Sequence, residues 1–353
     1  MGRKRTIDRH LPERVYFKHG AYYYHARDEE AARIGKKWTR LGTTISEMYA
    51  SLSKLHQDSE LLKTKPITMR ELFDRYARDV ITTKKPATQR SNLNSLKFLR
   101  AFFDEMNITE VESHHCFEYR DIRSKKAVIG ANRDIEILSH AFSKAIEWGC
   151  LRNEAHPTRG LIIKNTPNIR DRYVEDDELN AFKQCISQFL QVYIDLKILT
   201  GLSKSDLLSL KLSDLKNDGI HYQRIKTTGR GAKRKVIMWT TELVDAVNAA
   251  KELRRRIGTD YLFCTKDGEA YIKEDGTTSG FDSIWQRAMT KALSLGVIAE
   301  RFTEHDLRAK TGSDIETLEE AQTLLDHTNS AITNRVYRRK IVKVMPLQKV
   351  KKH

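Results

Sequence analysis

The C-terminal half of the chain gathers side chains suited to handling an anion and a proton. Thr303-Glu304-His305-Asp306-Leu307-Arg308 sets His305 and Arg308 three residues apart, which puts them on one face of a helix. Leu324-Leu325-Asp326-His327 comes next, and Tyr337 follows ten residues after His327, within Val336-Tyr337-Arg338-Arg339. Upstream, Lys226 sits in His221-Tyr222-Gln223-Arg224-Ile225-Lys226-Thr227, which reads as a β-ribbon turning at Gly229 and Gly231 and returning through Lys235-Val236-Ile237-Met238. A guanidinium presents a planar fork to an oxyanion. An imidazole exchanges protons near neutral pH, and a hydroxyl becomes a nucleophile once a base takes its proton. Taken singly, each residue has an ordinary explanation. A tyrosine near a basic C-terminus is usually a docking residue, His305 alone a capping or core histidine, and Lys226 a solvated charge among Arg224, Arg230, Lys233 and Lys235. The order and spacing of the set carry the weight.

The elements that would position these residues follow from local patterns. Leu199-Thr200-Gly201-Leu202-Ser203-Lys204-Ser205-Asp206-Leu207-Leu208 predicts a helix, a glycine turn and a second helix. A long helix is expected after Glu175-Asp176-Asp177-Glu178-Leu179, closing a linker over 153–172 that Pro157 and Pro167 keep irregular. Residues 66–165 read as all-helical. Thr68-Met69-Arg70-Glu71 has capping-box form, and Pro86 opens a helix with Leu93, Leu96, Leu99, Phe102 and Phe103 at helical spacing. A further helix is expected near 115–123, and the last runs over 132–148, with Ile135, Leu138, Phe142 and Ile146 on one face and Gly149 as its stop. Residues 1–65 differ: Val15-Tyr16-Phe17-Lys18, His19-Gly20 and Tyr22-Tyr23-Tyr24-His25 predict a hairpin, Lys37 to Gly42 a third strand, and 46–62 a helix. Such a sheet can enter a major groove.

Composition narrows the partner. Lys and Arg outnumber Asp and Glu by 63 to 47 in 353 residues, a formal charge of +16. That surplus favours a polyanion through phosphate attraction and counterion release. The first 40 residues hold 11 basic and 5 acidic side chains, beginning with Arg3-Lys4-Arg5, and the segment from Arg335 onward holds 8 basic and no acidic ones. Lys84, Lys85 and Arg90 are further candidates for phosphate contact. Four cysteines without a CxxC pair argue against a zinc site or disulfide framework. No run reaches the roughly 20 apolar residues of a membrane span, and no apolar signal region opens the chain. An intracellular protein away from membranes is expected, with neither an acidic metal cluster nor a cofactor motif to suggest a metal nuclease or a metabolic enzyme.

In order and spacing, the four C-terminal patterns resemble those of the tyrosine recombinase, or phage integrase, family. Its second box has the form His-x-x-Arg, its third Leu-x-His, and its tyrosine follows nine or ten residues later; the Thr200-Gly201-Leu202 turn and the Lys226 ribbon occupy the places of its first arginine and its lysine. The resemblance implies a multidomain α+β fold of the lambda-integrase kind: a small β-rich arm-binding domain with linker helix (1–65), a helical SAM-like core-binding domain (66–165) and a mainly helical catalytic domain with a small antiparallel sheet and a C-terminal tail (166–353), the two larger parts clamping DNA. It implies a site-specific recombinase that cuts and rejoins DNA without metal or nucleotide cofactor. Tyr337 would attack to give a 3′-phosphotyrosyl link, Arg308 would hold a non-bridging oxygen, His305 and His327 would bind the phosphate or manage the tyrosine proton, and Lys226 would protonate the leaving 5′ oxygen. Implied partners are core-type and arm-type attachment sites, three further protomers on a Holliday junction, a host DNA-bending protein and an excisionase, in the cytoplasm or nucleoid of a bacterial host. The tail after Tyr337, with Val342, Val344, Met345 and Leu347, is expected to dock on a neighbouring protomer or on its own domain.

One residue breaks the pattern. Ser203 stands where the family's first arginine follows Thr-Gly-Leu, and Asp326 stands where glycine is common. Serine gives a single neutral hydrogen bond where arginine gives a charged pair. Lys204 lies about 100° further round a helix and is expected to point elsewhere. Reduced cleavage is the expectation. A non-catalytic DNA-binding relative or a type IB topoisomerase-like enzyme are the alternatives; the arm-like N-terminal region argues against the second, and His305, Arg308, His327 and Tyr337 against the first.

Overall fold

The computed structural model describes residues 11–56, 65–161, 163–166, 168, 170–225, 234–254, 258–327 and 329–341. They form two compact units that divide after Asn168.

The first unit opens with an antiparallel sheet in the order β1 (Val15–Lys18), β2 (Ala21–His25), β3 (Trp38–Gly42). The hairpin and third strand expected from the aromatic runs are present. Between β2 and β3 lies α1 (Asp28–Ile34), which the hairpin reading did not foresee. Its first turn is acidic and Gly35 ends it at φ 74°, both ordinary helix-terminus signals. One sheet face buries Val15, Tyr24 and Leu41. The other stacks His25 on Trp38 with ring centroids 4.4 Å apart and sets Lys18 Nζ 4.3 Å from the Trp38 ring centre. Helix α2 (Ile45–His56) then leads to α3 (Met69–Asp79), α4 (Pro86–Phe103), α5 (Ser113–Ser124) and α6 (Val128–Glu147).

The predicted starts hold at α3 and α4. Thr68 caps α3 while Glu71 accepts from the Thr68 N–H, and Pro86 sits at the first turn of α4. Helix α6 begins four residues earlier than its apolar stripe suggested. Sheet and helices share one apolar core, from Val15 and Tyr24 through Met48 and Phe73 to Phe142. A buried cation ties them together: Arg100 of α4 meets Asp74 of α3 at 2.5 Å and the Tyr49 hydroxyl of α2 at 3.3 Å.

The second unit starts with α7 (Asp176–Gln184) and α8 (Gln188–Thr200). These replace the single long helix expected there, because Ser187 takes extended backbone and starts a new helix. Gly201 ends α8 at φ 59°, and a Cβ there would lie 3.1 Å from Leu325 Cδ2, so both backbone and space favour glycine. Helix α9 (Lys204–Leu208) follows, then an antiparallel sheet β4 (Leu215–Lys216), β5 (Gly219–Gln223), β6 (Arg234–Met238). The remaining helices are α10 (Thr241–Leu253), α11 (Ser279–Ser294), α12 (Glu304–Asp314) and α13 (Leu318–Leu325), followed by a helical turn at Ser330–Ile332 and a π-helical turn at Thr333–Tyr337. The apolar faces of α7, α8, α10 and α11 make the core, around Phe182, Tyr193, Phe281 and Phe302. Among the described residues no helix is long and apolar enough to cross a membrane.

Candidate active site

The site is assembled at the start of α12. Thr303 caps this helix by accepting from the Asp306 N–H, while the Asp306 carboxylate accepts from the Thr303 N–H at 2.7 Å and hydroxyl at 2.9 Å. The reciprocal cap fixes the first turn, and so the directions in which His305 and Arg308 leave the helix. Asp306 is fully buried and also accepts from Arg170 Nε at 2.9 Å and Arg339 Nη1 at 2.6 Å. Burial alone would raise its pKa, but the hydrogen bonds from Arg170, Thr303 and Arg339 outweigh it and hold the carboxyl below its ordinary value.

Arg308 is buried, at 3% exposure. Its Nη1 donates to the Gly201 carbonyl and its Nη2 to the Leu325 carbonyl, with His327 Nε2 at 3.5 Å. It therefore joins three sequence patterns: the turn after α8, the helix α12 and the end of α13. Each terminal nitrogen carries two N–H groups, so a phosphate oxygen remains a feasible second acceptor. Burial pushes its pKa down, yet a guanidinium stays cationic.

Tyr337 ends the π-helical turn, with its ring mostly buried. Its hydroxyl lies 3.1 Å from His305 Nε2, its ring 4.5 Å from that of His327, and the Arg308 guanidinium carbon 5.7 Å from its ring centre. Ser313 Oγ donates to the Tyr337 carbonyl at 2.7 Å. Gly312 permits this approach, since a Cβ there would lie 3.1 Å from Tyr337 Cβ and 2.8 Å from Leu325 Cδ1. Burial, chiefly, lowers the pKa of His305, and burial with the nearby Arg308 and Arg224 charges lowers that of His327 to about 4. Both imidazoles are thus neutral at pH 7. His327 Nδ1 bonds Thr333 Oγ1 at 2.9 Å, which orients its ring.

Tyr337, His305, His327 and Arg308 come together as their spacing suggested. Ser203 is used locally: its Oγ caps α9 and lies 2.6 Å from Asp206 Oδ2. Lys204 points away, onto Asp282 at 2.7 Å. Lys226, Arg3, Lys4 and Arg5 lie outside the described residues, as do Val342, Val344, Met345 and Leu347. Lys84, Lys85 and Arg90 belong to the first unit. There Lys84 is half-buried, 5.7 Å from the Tyr76 ring centre, and burial lowers its pKa; Lys85 and Arg90 are exposed.

Sequence reasoning missed Lys197, Glu304, Arg224 and Asp306. Lys197 of α8 is fully buried, donates to the Leu202 carbonyl at 2.7 Å and pairs with Glu304 at 2.6 Å. A lysine on an otherwise apolar helix face, one turn ahead of Thr200-Gly201, was the available signal. Arg224 donates to the Asp326 carbonyl at 2.7 Å, and nothing in its local sequence separates it from the neighbouring cations. Asp326 adopts φ 53°, which asparagine and aspartate tolerate better than other side chains. That is how it replaces the commoner glycine.

The sequence model of the Phage integrase family matches residues 173–343. No curated protein matches the chain. Solved structures do. A lambda integrase dimer bound to a COC′ core site is 18% identical with a TM-score of 0.65, covering 98% of this chain and 99% of that one. A lambda integrase tetramer bound to a Holliday junction is 17% identical with a TM-score of 0.65, covering 97% and 99%. The Tn1549 transposon integrase in complex with circular intermediate DNA is 18% identical with a TM-score of 0.61, covering 77% and 95%. At these identities the likeness establishes the fold: an N-terminal three-stranded sheet, a helical middle and a mainly helical last part with a small antiparallel sheet.

Proposed function

Residues 173–343 belong to the phage integrase family, and from that premise we propose that the chain is a tyrosine site-specific recombinase of DNA. The observation that carries this reading is the Tyr337 hydroxyl, 3.1 Å from a neutral His305 and flanked by His327 and Arg308, which three separate stretches of sequence deliver to one place. Neutral His305 accepts the phenolic proton on Nε2. The Tyr337 oxygen attacks phosphorus, the bond from phosphorus to the 5′ oxygen breaks, and a 3′-phosphotyrosyl ester forms. Lys226 supplies the proton that the 5′ oxygen needs to leave. Arg308 holds a non-bridging oxygen as charge builds on the phosphate, and His327, anchored by Thr333, donates to another. The reverse reaction with a different 5′ hydroxyl rejoins the strands, so the energy of the broken bond is kept in the ester.

The first unit takes the DNA-reading tasks in this proposal. The sheet bearing Lys18, His25 and Trp38 reads arm-type sites, and the helices of 66–165 bind the core site. Four protomers act on a Holliday junction, as the lambda integrase tetramer does. A DNA-bending host protein and an excisionase complete the set. Ser203 in place of an arginine removes one charged donor, which lowers the cleavage rate by about 10²–10³.

The test uses a nicked suicide duplex built on the core sequence that the full chain selects from random DNA. This chain is expected to form a weak covalent adduct, Ser203→Arg a stronger one and Tyr337→Phe none. Tight binding without adduct from any variant, Ser203→Arg included, refutes the recombinase and leaves a non-catalytic DNA-binding relative, the reading that Ser203 favours.

A further inference from the structure

We propose that Arg224 supplies the second guanidinium on the scissile phosphate, from the β-ribbon and not from the turn where Ser203 stands. The inference rests on the recombinase reading above. Its basis is a chain of contacts that joins Arg224 to the site on both sides. On one side, the buried Asp206 carboxylate links the ribbon to the Ser203 turn: Oδ1 accepts from the Ile225 N–H at 2.9 Å, and Oδ2 lies 2.6 Å from Ser203 Oγ. The backbone directly after Arg224 is thus pinned to the residue whose place in the family belongs to an arginine. On the other side, Arg224 Nη1 donates to the Asp326 carbonyl at 2.7 Å, and Arg308 Nη2 donates to the adjoining Leu325 carbonyl. The two guanidiniums stand on consecutive carbonyls of the turn that leads into His327.

The charge belongs to the site as well as the geometry. Arg224 is among the causes, after burial, that lower the pKa of both Arg308 and His327. The nearest acid of the turn, the Asp326 carboxylate, is matched by Lys235 at 2.5 Å. Two guanidiniums held side by side repel each other, and an anion bound between them relieves that repulsion. A phosphodiester whose transition state gathers negative charge on its non-bridging oxygens fits such a pair. Serine at 203 then leaves the weak cleavage proposed above and does not abolish it, because a cation still arrives from another element.

The experiment measures adduct formation on the selected suicide duplex, and binding to the same duplex, for this chain and for Arg224→Ala, Arg224→Lys, Ser203→Arg and Ser203→Arg/Arg224→Ala. Arg224→Ala is expected to slow adduct formation about 100-fold while binding stays within about threefold. Retained binding reports a folded chain, and Arg224→Lys, which keeps the charge, is expected to fall between the parent and Arg224→Ala. Ser203→Arg is expected to restore cleavage in the Arg224→Ala background, a rescue that a merely structural role in holding the Asp326 turn would not allow. Cleavage by Arg224→Ala at the parent rate overturns the proposal. So does a deficit that Ser203→Arg leaves in place, or a parent that forms no adduct where Ser203→Arg does. Absence of Tyr337-dependent adduct from every variant overturns the recombinase reading, and this inference with it.

Discussion

Two buried arginines, one in each unit, have opposite surroundings. Arg100 in the first unit lies between two carboxylates, Asp74 at 2.5 Å and Asp104 at 3.5 Å, and despite the cost of burial these anions raise its pKa. Arg308 in the second unit donates to two backbone carbonyls, forms no ion pair among the described residues, and has its pKa lowered. The first cation is matched within the fold. The second is desolvated and held by neutral acceptors, an arrangement that favours an incoming anion. Burial alone does not tell a structural charge from a working one; what balances it does.

That contrast can be broken or sharpened by substitution. The largest effect is expected for Tyr337→Phe, which removes the covalent adduct on a suicide duplex and leaves binding in a gel-shift assay unchanged. Arg308→Ala comes next, with cleavage slowed about 10³-fold or more. If Arg308 were only a strut between the Gly201 and Leu325 carbonyls, lost activity would track lost stability, and a thermal melt read beside the cleavage rate decides this. Arg100→Ala should do the reverse. Removing one partner from a buried charge cluster costs about 3–5 kcal/mol, read as a lower denaturant midpoint, while a covalent adduct still forms at low temperature. Gly201→Ala places a side chain at positive φ against Leu325 and should cost about 1–2 kcal/mol; an unchanged melt would remove the case for glycine there. A graded effect concerns pH. The folded-state pKa of His327 is about 4 against 6.5 when unexposed to the site, so the unfolded chain binds more protons between these values. Stability of the second unit should therefore fall as pH drops from about 6.5 towards 4, with His305 acting in the same direction. His327→Gln should flatten that slope in denaturant titrations at several pH values.

Local signals were legible and distant ones were not. Thr68 with Glu71, Pro86, Gly201 and the aromatic hairpin all speak through neighbours within a few residues, and the structure follows them. The quartet Tyr337, His305, His327 and Arg308 was readable because its spacing is short and ordered. Lys197, Glu304, Arg224 and Asp306 were not, since each gains its meaning from a partner on another element: Arg224 from the carbonyl of Asp326, Asp306 from Arg170 and Arg339. Ser203 shows the remaining gap. Read along the sequence it marks a missing cation, whereas in the fold it also caps α9, a task for which serine is well suited. Helix α1 and the break between α7 and α8 escaped because seven residues, or a single serine, are too short a window for periodicity to resolve.

The Asp306 carboxylate takes one arginine from where the chain enters the second unit, Arg170, and one from just past Tyr337, Arg339. Entrance and exit are thereby fastened at one buried point, like the clasp of a bracelet. Asp306, two residues from Arg308 and one from His305, thus ties both ends of the second unit to the helix start that carries them. A unit built this way is a portable cartridge. On the proposed recombinase reading, a different module set in front of it would alter where DNA is cut without retuning how.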